Sequence, residues 1–257
     1  MGAQQRRLPA GRGRPLSLRG TAPLLRHAAP LRGRLLRRYK RFLADIETEA
    51  GETLTVHCPD PGSMRGCARP GAAVRCSEHD SPKRQLRYTL EMIRVGRVWV
   101  GINTGLANAV AARALEGGLP RGLAGYTSVE REVTAVPGSR LDFRLRGRAR
   151  DPRCLWLEVK SVTFADGRRG LFPDSVTERG RRHVELLTQL AERGERAALL
   201  FLVQRGDCDS VSPADAIDPA YGRALRDAKR AGVELFALGA RVGARGICVE
   251  RELPVKL

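Results

Sequence analysis

The feature that most constrains the fold is an unbroken apolar segment, AALLFLV at residues 197–203, which stands between two helix patterns. Such a run is typical of a strand buried on both faces at the centre of a sheet. The helix before it is predicted over residues 178–193, with Asp174 or Thr177 as its N-cap. The helix after it is predicted over residues 219–231. Because strands and helices alternate here, we predict a mixed sheet covered by helices.

The chain before residue 103 has a different texture. Short β patterns alternate there with Gly/Pro turns, and no helix of ordinary length fits. The predicted strands are 38–46, 53–58, 72–76, 86–93 and 97–102. Five such strands suggest a small barrel, compatible with an OB-fold. We therefore predict an α/β chain of the α+β kind, with an OB-like β-barrel at 35–102 and a mixed sheet flanked by helices at 103–257.

The N-terminal segment and the net charge point to a polyanionic partner. Lys and Arg number 46 against 28 Asp and Glu, a formal net charge of +18. Twelve of those basic residues, and no acid, fall within residues 1–41. We interpret residues 1–34 as a basic, disordered extension. An excess of this size favours nucleic acid as a partner, although the preference for Arg over Lys can equally reflect codon usage.

Several classes of protein are disfavoured by what the sequence lacks. No apolar run approaches the length of a membrane span, and the N-terminus has no apolar core of a secretory signal. No phosphate-binding GxxxxGK[ST] loop occurs, so no nucleotide cofactor is expected. The six cysteines form no CxxC pair, which favours free thiols in the reducing cytoplasm. Aromatic residues make up only 5%, which counts modestly against a dedicated single-strand binder.

Two β patterns carry the candidate catalytic residues. Side chains alternate along a strand, so LWLEVK at 155–160 places Glu158 and Lys160 on one polar face, and RLDFRL at 140–145 places Asp142 on another. If the two strands pair, Asp142 lies beside Glu158. Two such carboxylates can bind Mg²⁺ or Mn²⁺, and the lysine can orient or deprotonate a water. Asp…Glu-x-Lys is the minimal PD-(D/E)xK nuclease pattern, but Glu-x-Lys is also common as a cross-strand ion pair.

Basic residues in both parts of the chain are candidate phosphate contacts. They are Arg38, Lys40, Arg41, Arg65, Arg140, Arg179 and Arg182. The competing interpretation is a solvated strand face for the first three and a solvated capping loop for Arg179 and Arg182. We interpret His183 as a surface helix residue rather than a general base, and His57 as a packed strand-end residue rather than a metal ligand.

Six collinear segments resemble the sugar fermentation stimulation protein family (SfsA-like). They are RYKRFLADI at 38–46, HCPDPGSMRGC at 57–67, VGINTGLAN at 100–108, SRLDF at 139–143, LEVKSVT at 157–163 and FPDSVTERG at 172–180. They keep the family's order and rough spacing from about residue 35 onward, and residues 1–34 lie outside the resemblance. One departure stands out, because this chain has Asp60-Pro61 where the family usually has Asn-Thr.

The resemblance implies an OB-type barrel followed by a PD-(D/E)xK nuclease-like domain. Asp142, Glu158 and Lys160 match the nuclease-like positions, and Glu132 matches an acidic position of uncertain role. By the same resemblance the chain binds DNA without sequence specificity and regulates sugar (maltose) metabolism. The alternative is an active Mg²⁺- or Mn²⁺-dependent nuclease that hydrolyses DNA or RNA. A third hypothesis, regulation through another protein, has no helix-turn-helix pattern to support it.

Overall fold

The computed structural model describes residues 5–7, 25, 26, 28–149 and 151–257. Much of the predicted disordered extension lies outside this part of the chain. Within it, two short strands, β1 (Gln5–Arg7) and β2 (Leu25–Arg26), precede the barrel. The first barrel strand, β3 (Leu31–Tyr39), begins four residues before the predicted start at residue 35. The extension therefore gives way to regular structure earlier than its composition suggests.

The N-terminal part is a closed five-stranded barrel, as predicted. The five barrel strands are β3, β4 (Leu43–Thr48), β5 (Thr53–His57), β6 (Ala73–Glu78) and β7 (Tyr88–Val95). They are followed in the chain by β8 (Val98–Gly101). The order β5-β4-β3-β6-β7 is closed by pairing of β5 with β7 at His57 and Thr89, and β8 extends the sheet beyond β7. Fully buried Leu35, Ile46 and Leu90 fill the interior, where their removal from water stabilises the barrel.

One predicted strand is wrong in its extent. The pattern at 38–46 predicts a continuous strand, but the chain turns at residues 40–42 and returns as β4. Lys40 and Arg41 have φ of 45° and 64°, the left-handed region that a tight reversal requires. The turn contains no Gly, Pro, Asn or Asp, so the usual sequence signal for a reversal is absent. Phe42 consequently lies at the hairpin end instead of within a strand.

The C-terminal part is a mixed sheet with helices on both faces. Its elements in chain order are α1 (Ala107–Glu116), β9 (Ser128–Val136), β10 (Ser139–Arg146), β11 (Leu155–Val162), β12 (Ala165–Asp166), β13 (Arg169–Phe172), α2 (Glu178–Glu192), β14 (Arg196–Val203), β15 (Ser210–Pro213), α3 (Pro219–Arg230), β16 (Glu234–Gly243) and β17 (Gly246–Glu252). The order in the large sheet is β1-β9-β10-β11-β14-β16-β17-β2. Strands β11, β14 and β16 are parallel neighbours, and β14 is buried at the centre as predicted.

Helix boundaries agree with the sequence to within a residue. Helix α1 spans the predicted residues, and α2 and α3 each end one residue early. The Thr177 side chain caps α2 by accepting a hydrogen bond from the Gly180 N–H at 3.0 Å. Helix α1 packs on one face of the sheet, and α2 and α3 pack on the other. The last strand, predicted over 247–255 as an edge strand, is β17. It is not at the edge, because the two-residue β2 pairs with its outer side.

Two features of the C-terminal part are absent from the sequence prediction. Strands β12, β13 and β15 form a small separate sheet of two- to four-residue strands. The apolar face predicted for β10 also breaks, since Phe143 and Leu145 pack towards α1 while Leu141 packs towards α2. Across the β9–β10 ladder from Asp142, Glu132 has a φ of 54°. A left-handed residue there interrupts the regular strand geometry beside the candidate site.

Within the described ranges, no helix is both long enough and apolar enough to cross a membrane.

Candidate functional site

The β10–β11 ladder ends beside the two candidate carboxylates. Phe143 pairs with Leu157, and the ladder stops there. Asp142, just before Phe143, and Glu158, just after Leu157, stand opposite each other beyond this last pair. The Asp142 Oδ2 atom accepts a hydrogen bond from the Val159 N–H at 2.8 Å, so a side chain satisfies a main-chain donor that the ladder leaves unpaired. The separation of the strands opens the space above both carboxylates.

Glu158 lies at the bottom of the site, where Lys160 and His183 both bond to it. Its side chain is only 4% exposed, and its Oε1 atom accepts a hydrogen bond from Lys160 Nζ at 2.6 Å. His183 Nδ1 also bonds to this oxygen, and it lies 3.3 Å from Lys160 Nζ. Burial alone would raise the pKa of Glu158, but the His183 hydrogen bond and the Lys160 charge hold it below its ordinary value. Glu158 is therefore an anion at neutral pH.

The second oxygen of Glu158 has a different environment. Oε2 is buried and has no hydrogen-bond partner in the described part of the chain. A buried anionic oxygen without a partner is unfavourable, and a cation is the ligand that satisfies it. The sequence prediction placed His183 on the helix surface, but its side chain is only 15% exposed and faces Glu158. Its position next to buried Val184 in α2 was the available signal.

The Asp142 carboxylate is held by one hydrogen bond from β11 and one from α1. Besides the bond from Val159, its Oδ1 accepts a hydrogen bond from Asn108 Nδ2 of α1 at 2.7 Å. Burial, with the negative charge of Glu158 nearby, raises the pKa of Asp142 to about 6. The two carboxylates are thus close enough to repel each other. A divalent cation between them would relieve that repulsion.

These residues line a cleft of about 440 Å³ between the barrel and the C-terminal sheet. Its barrel wall is formed by Arg41 and the loop at 60–62. Its other wall is the segment from β13 into α2, including Val176 and Arg179. The candidate carboxylates therefore face a space to which both halves of the chain contribute.

Three of the predicted phosphate contacts meet in a second depression next to the cleft. Arg140, Arg179 and Arg182 are all exposed and line it together with His183; its volume is about 650 Å³. Arg179 and His183 line both cavities, so the two are continuous. Exposed guanidinium groups at the start of a helix suit phosphate groups. The structure thus assembles a basic surface that leads into the acidic site.

The two predicted phosphate contacts Arg38 and Arg41 on the barrel differ in their surroundings. Arg38 Nη2 donates to the carbonyls of Arg41, Asp60 and Gly62 at 2.7–2.8 Å, so this guanidinium holds the turn and the following loop together. That position favours neither the phosphate role nor the solvated face predicted for Arg38. Arg41 Nε donates to the Pro61 carbonyl at 2.8 Å, and its side chain lines the cleft.

Among the described residues, the remaining candidates Lys40, Arg65 and Glu132 form no hydrogen bond or ion pair with Asp142 or Glu158. Lys40 is exposed at the hairpin turn, and Arg65 is exposed on the loop after β5. Glu132 is half-exposed and forms an ion pair with Arg140 at 2.9 Å. In this arrangement Glu132 adjusts the charge at the edge of the arginine surface, and its side chain does not bond to Asp142 or Glu158.

Comparison with known proteins agrees with the fold. A family model described as "SfsA N-terminal OB domain" matches residues 36–102, and one described as "Sugar fermentation stimulation protein RE domain" matches residues 105–246. The chain belongs to the sugar fermentation stimulation protein family. A homolog of that name from Geobacter sulfurreducens is 47% identical over 223 residues, 87% of this chain and 94% of the relative. Another from Pelobacter propionicus is 48% identical over 225 residues, 88% of this chain and 96% of the relative.

A solved member of the family has the same fold. The structure of Pyrococcus furiosus SfsA in complex with Ca²⁺ superimposes with a TM-score of 0.83 at 25% sequence identity. The match covers 92% of this chain and all of that one. The pairing of a barrel with a mixed sheet is thus shared across distant members of the sugar fermentation stimulation protein family.

The loop in which this chain departs from the family pattern joins the barrel to the cleft. Asp60 is buried, and its Oδ1 accepts a hydrogen bond from the Gly62 N–H at 2.7 Å. Burial, together with the charge of Asp174, raises the pKa of Asp60 to about 6. A Cβ on Gly62 would lie 2.3 Å from the Asp174 carboxylate, so any larger residue there would displace that side chain. The loop is therefore closely packed against the segment that precedes α2.

Asp174 is the principal polar link between the two halves at this point. Its Oδ2 accepts hydrogen bonds from the Met64 N–H at 2.8 Å and from Ser63 Oγ at 3.2 Å. We expect Asp174→Ala to leave the Met64 N–H unpaired and to lower the melting temperature by about 2–6 °C. Calorimetry measures this shift, with Asp166→Ala, which removes an exposed carboxylate, as the control. Equal melting temperatures for the two variants would show that the link contributes nothing.

The raised pKa of Asp142 predicts how the binding of a metal ion at this carboxylate would depend on pH. A metal ion must displace the proton, so below pH 6 we expect Mn²⁺ affinity to fall about tenfold per pH unit, with little change above pH 7. Since the folded state binds this proton more tightly than the unfolded chain, metal-free protein should lose stability as the pH rises from about 4 to about 6. Titration calorimetry with Mn²⁺ at several pH values measures the first effect. A flat profile between pH 5 and 7 would contradict it.

Proposed function

We propose that this chain binds DNA without sequence specificity and that its cleft hydrolyses phosphodiester bonds with Mg²⁺ or Mn²⁺. The observation that carries the proposal is the pairing of Asp142 with Glu158, whose Oε2 is buried and unpartnered. Two carboxylates suit Mg²⁺, which prefers oxygen ligands and keeps several waters. In the part of the chain that is described, no group of three or more His, Cys, Asp or Glu forms a metal cage.

Each side chain of the site has a distinct role in this proposal. Asp142 and Glu158 would hold the metal ion, which supplies an activated water and neutralises phosphate charge. Lys160 and His183 hold Oε1 of Glu158, which would leave Oε2 available to bind the ion. Lys160 Nζ is also placed to stabilise the negative charge that develops on the phosphate. Arg179 and Arg182 would contact neighbouring phosphates on the substrate backbone.

A relative supports the choice of ion. The Pyrococcus furiosus family member was solved in complex with Ca²⁺, which prefers the same hard oxygen ligands as Mg²⁺. That ion agrees with a site built from carboxylates, and we propose Asp142 and Glu158 as the site in this chain.

A second candidate function is DNA binding without cleavage. The observation in its favour is that Lys160 and His183 already bond to Glu158, so the carboxylate has hydrogen-bonding partners without a metal. A regulatory role in sugar metabolism rests on the family's name, and binding without cleavage is the form in which this chain would serve it. RNA remains an alternative substrate, because phosphate contacts do not distinguish the two nucleic acids.

One gel experiment separates these functions. Purified protein is incubated with labelled DNA and RNA, each single- and double-stranded, in Mg²⁺, Mn²⁺ or EDTA. The proposal predicts cleavage in at least one metal-containing lane and none with EDTA. Salt-sensitive binding with no cleavage in any lane would favour the second function. If the protein neither bound nor cleaved any of these substrates, both candidate functions would be refuted.

A further inference from the structure

We infer that the cleft accepts a single unpaired strand, and that Phe42 and Val176 contact the base next to the phosphate held over Asp142 and Glu158. The inference rests on the proposed function and names its substrate class. It would make unpaired DNA, including single-stranded ends, the preferred substrate over an intact duplex. Four observations lead to it.

The first observation is the location of the exposed apolar side chains. In the described residues four large hydrophobic side chains are substantially exposed: Leu36, Phe42, Val176 and Leu257. Val176 is 71% exposed and lines the cleft, and Phe42, 42% exposed, directly follows the cleft residue Arg41. Val176 is on the wall before α2, and Phe42 is on the barrel, next in sequence to a residue of the other wall. Exposed apolar groups placed this way indicate a ligand with an apolar face.

The second observation is how Phe42 is held. Its carbonyl accepts a hydrogen bond from the Cys58 N–H at 2.8 Å, so the backbone beneath the ring is anchored to the next strand. The Arg41 guanidinium lies 5.4 Å from the ring centroid, within cation–π range. An anchored ring beside a cation matches a nucleotide, whose base stacks on the ring while its phosphate faces the cation.

The third observation is the size and depth of the site. The cleft measures about 440 Å³, which suits a ligand of nucleotide size. Glu158 is only 3% exposed, so a phosphate must descend between the walls to reach it. A separated strand is narrower than a continuous duplex and enters such a cleft more readily.

The fourth observation is the direction in which the charge continues. The depression lined by Arg140, Arg179 and Arg182 joins the cleft at Arg179 and His183. It would provide a path for the phosphates of one strand along the C-terminal part of the chain. The low aromatic content of the chain is compatible with this arrangement, because one stacking position at the site replaces a long aromatic platform.

The test compares a fluorescein-labelled single strand with a duplex of the same sequence, by fluorescence anisotropy in EDTA. We expect the wild type to bind the single strand at least about tenfold more tightly. Phe42→Ala should weaken single-strand binding about tenfold and leave duplex binding unchanged, since stacking on one base contributes on this scale. Phe42→Tyr should restore it, and Val176→Ser should weaken it less. Leu36→Ala, which removes a similarly exposed side chain of the same barrel, is the matched control.

The outcomes separate this inference from the function on which it rests. Equal affinity for single strand and duplex, or a Phe42→Ala variant that behaves like Leu36→Ala, overturns the inference. If metal-dependent cleavage is still observed in that case, the proposed function stands without it. A wild type that binds neither form of DNA overturns both. Enhanced fluorescence quenching of a base analogue by wild type but not by Phe42→Ala would support direct stacking.

Discussion

Glu158→Gln is expected to reduce metal-dependent cleavage by at least about a thousandfold while DNA binding changes little. The substitution keeps the shape of the side chain but removes the charge that holds the ion. It also replaces one of the two oxygens by an amide nitrogen, which is a donor and repels a cation. Because Glu158 is buried beneath the cleft, it makes no contact with the substrate backbone along the arginine surface. Binding should therefore survive.

The measurement is single-turnover cleavage in Mn²⁺, with anisotropy in EDTA to follow binding. Glu130→Gln is the matched control, since Glu130 is a buried glutamate of the same sheet that pairs with Arg144 outside the cleft. Circular dichroism confirms that both variants fold. Comparable cleavage by Glu158→Gln and Glu130→Gln would remove Glu158 from the mechanism.

Lys160→Met should lower cleavage by about 10²- to 10³-fold, the next largest effect. Methionine retains most of the apolar stem but lacks the ammonium that neutralises Glu158 and faces the developing phosphate charge. His183 remains bonded to Glu158 in this variant, so the carboxylate is not left without a partner. We therefore expect the metal to bind and the chemical step to slow.

Rates at saturating Mn²⁺, together with Mn²⁺ affinity from calorimetry, distinguish these effects. Lys229→Met is the matched control, because Lys229 is exposed on α3 and lies outside the cleft residues. A loss that disappears at high Mn²⁺ would mean that Lys160 acts on metal affinity and not on the chemical step. No loss at all would make its contact with Glu158 an ordinary ion pair.

Much of the fold follows from local sequence patterns. Period-two alternation and the apolar run of β14 predict the central strands, because burial on two faces leaves little choice of residue. Helix α1 is predicted without error, since small apolar residues precede a Gly117-Gly118 stop. The barrel and the mixed sheet are both confirmed. The boundary between them at residues 102 and 103 stays a prediction.

The misses have physical causes that local patterns do not contain. The turn at Lys40 and Arg41 lacks turn-forming residues, so its left-handed backbone is imposed by the barrel around it. The strands of the small sheet are too short to show a period. His183 reaches Glu158 across 25 residues of sequence, and the Asp174–Met64 link spans 110. Contacts of this kind exist only once the elements have packed.

Part of the candidate site could be predicted from the alternation of side chains along the strands. Asp142, Glu158 and Lys160 lie on neighbouring strands whose alternation shows which side chains share a face. The positions of the phosphate contacts depend on loops, and there the sequence was less informative: Arg38 holds a turn, while Arg179 and Arg182 gather with Arg140 in one depression. Roles for these residues remain predictions.

The most direct test of the central claim is to locate a bound ion. Crystals of the protein grown with Mn²⁺ are examined by anomalous diffraction near the manganese edge. The account predicts a peak between the carboxylates of Asp142 and Glu158, within coordination distance of Oε2 of Glu158, and its loss in Glu158→Gln. A peak elsewhere, or none at Mn²⁺ concentrations that support cleavage, would contradict a metal-dependent site at this pair of residues.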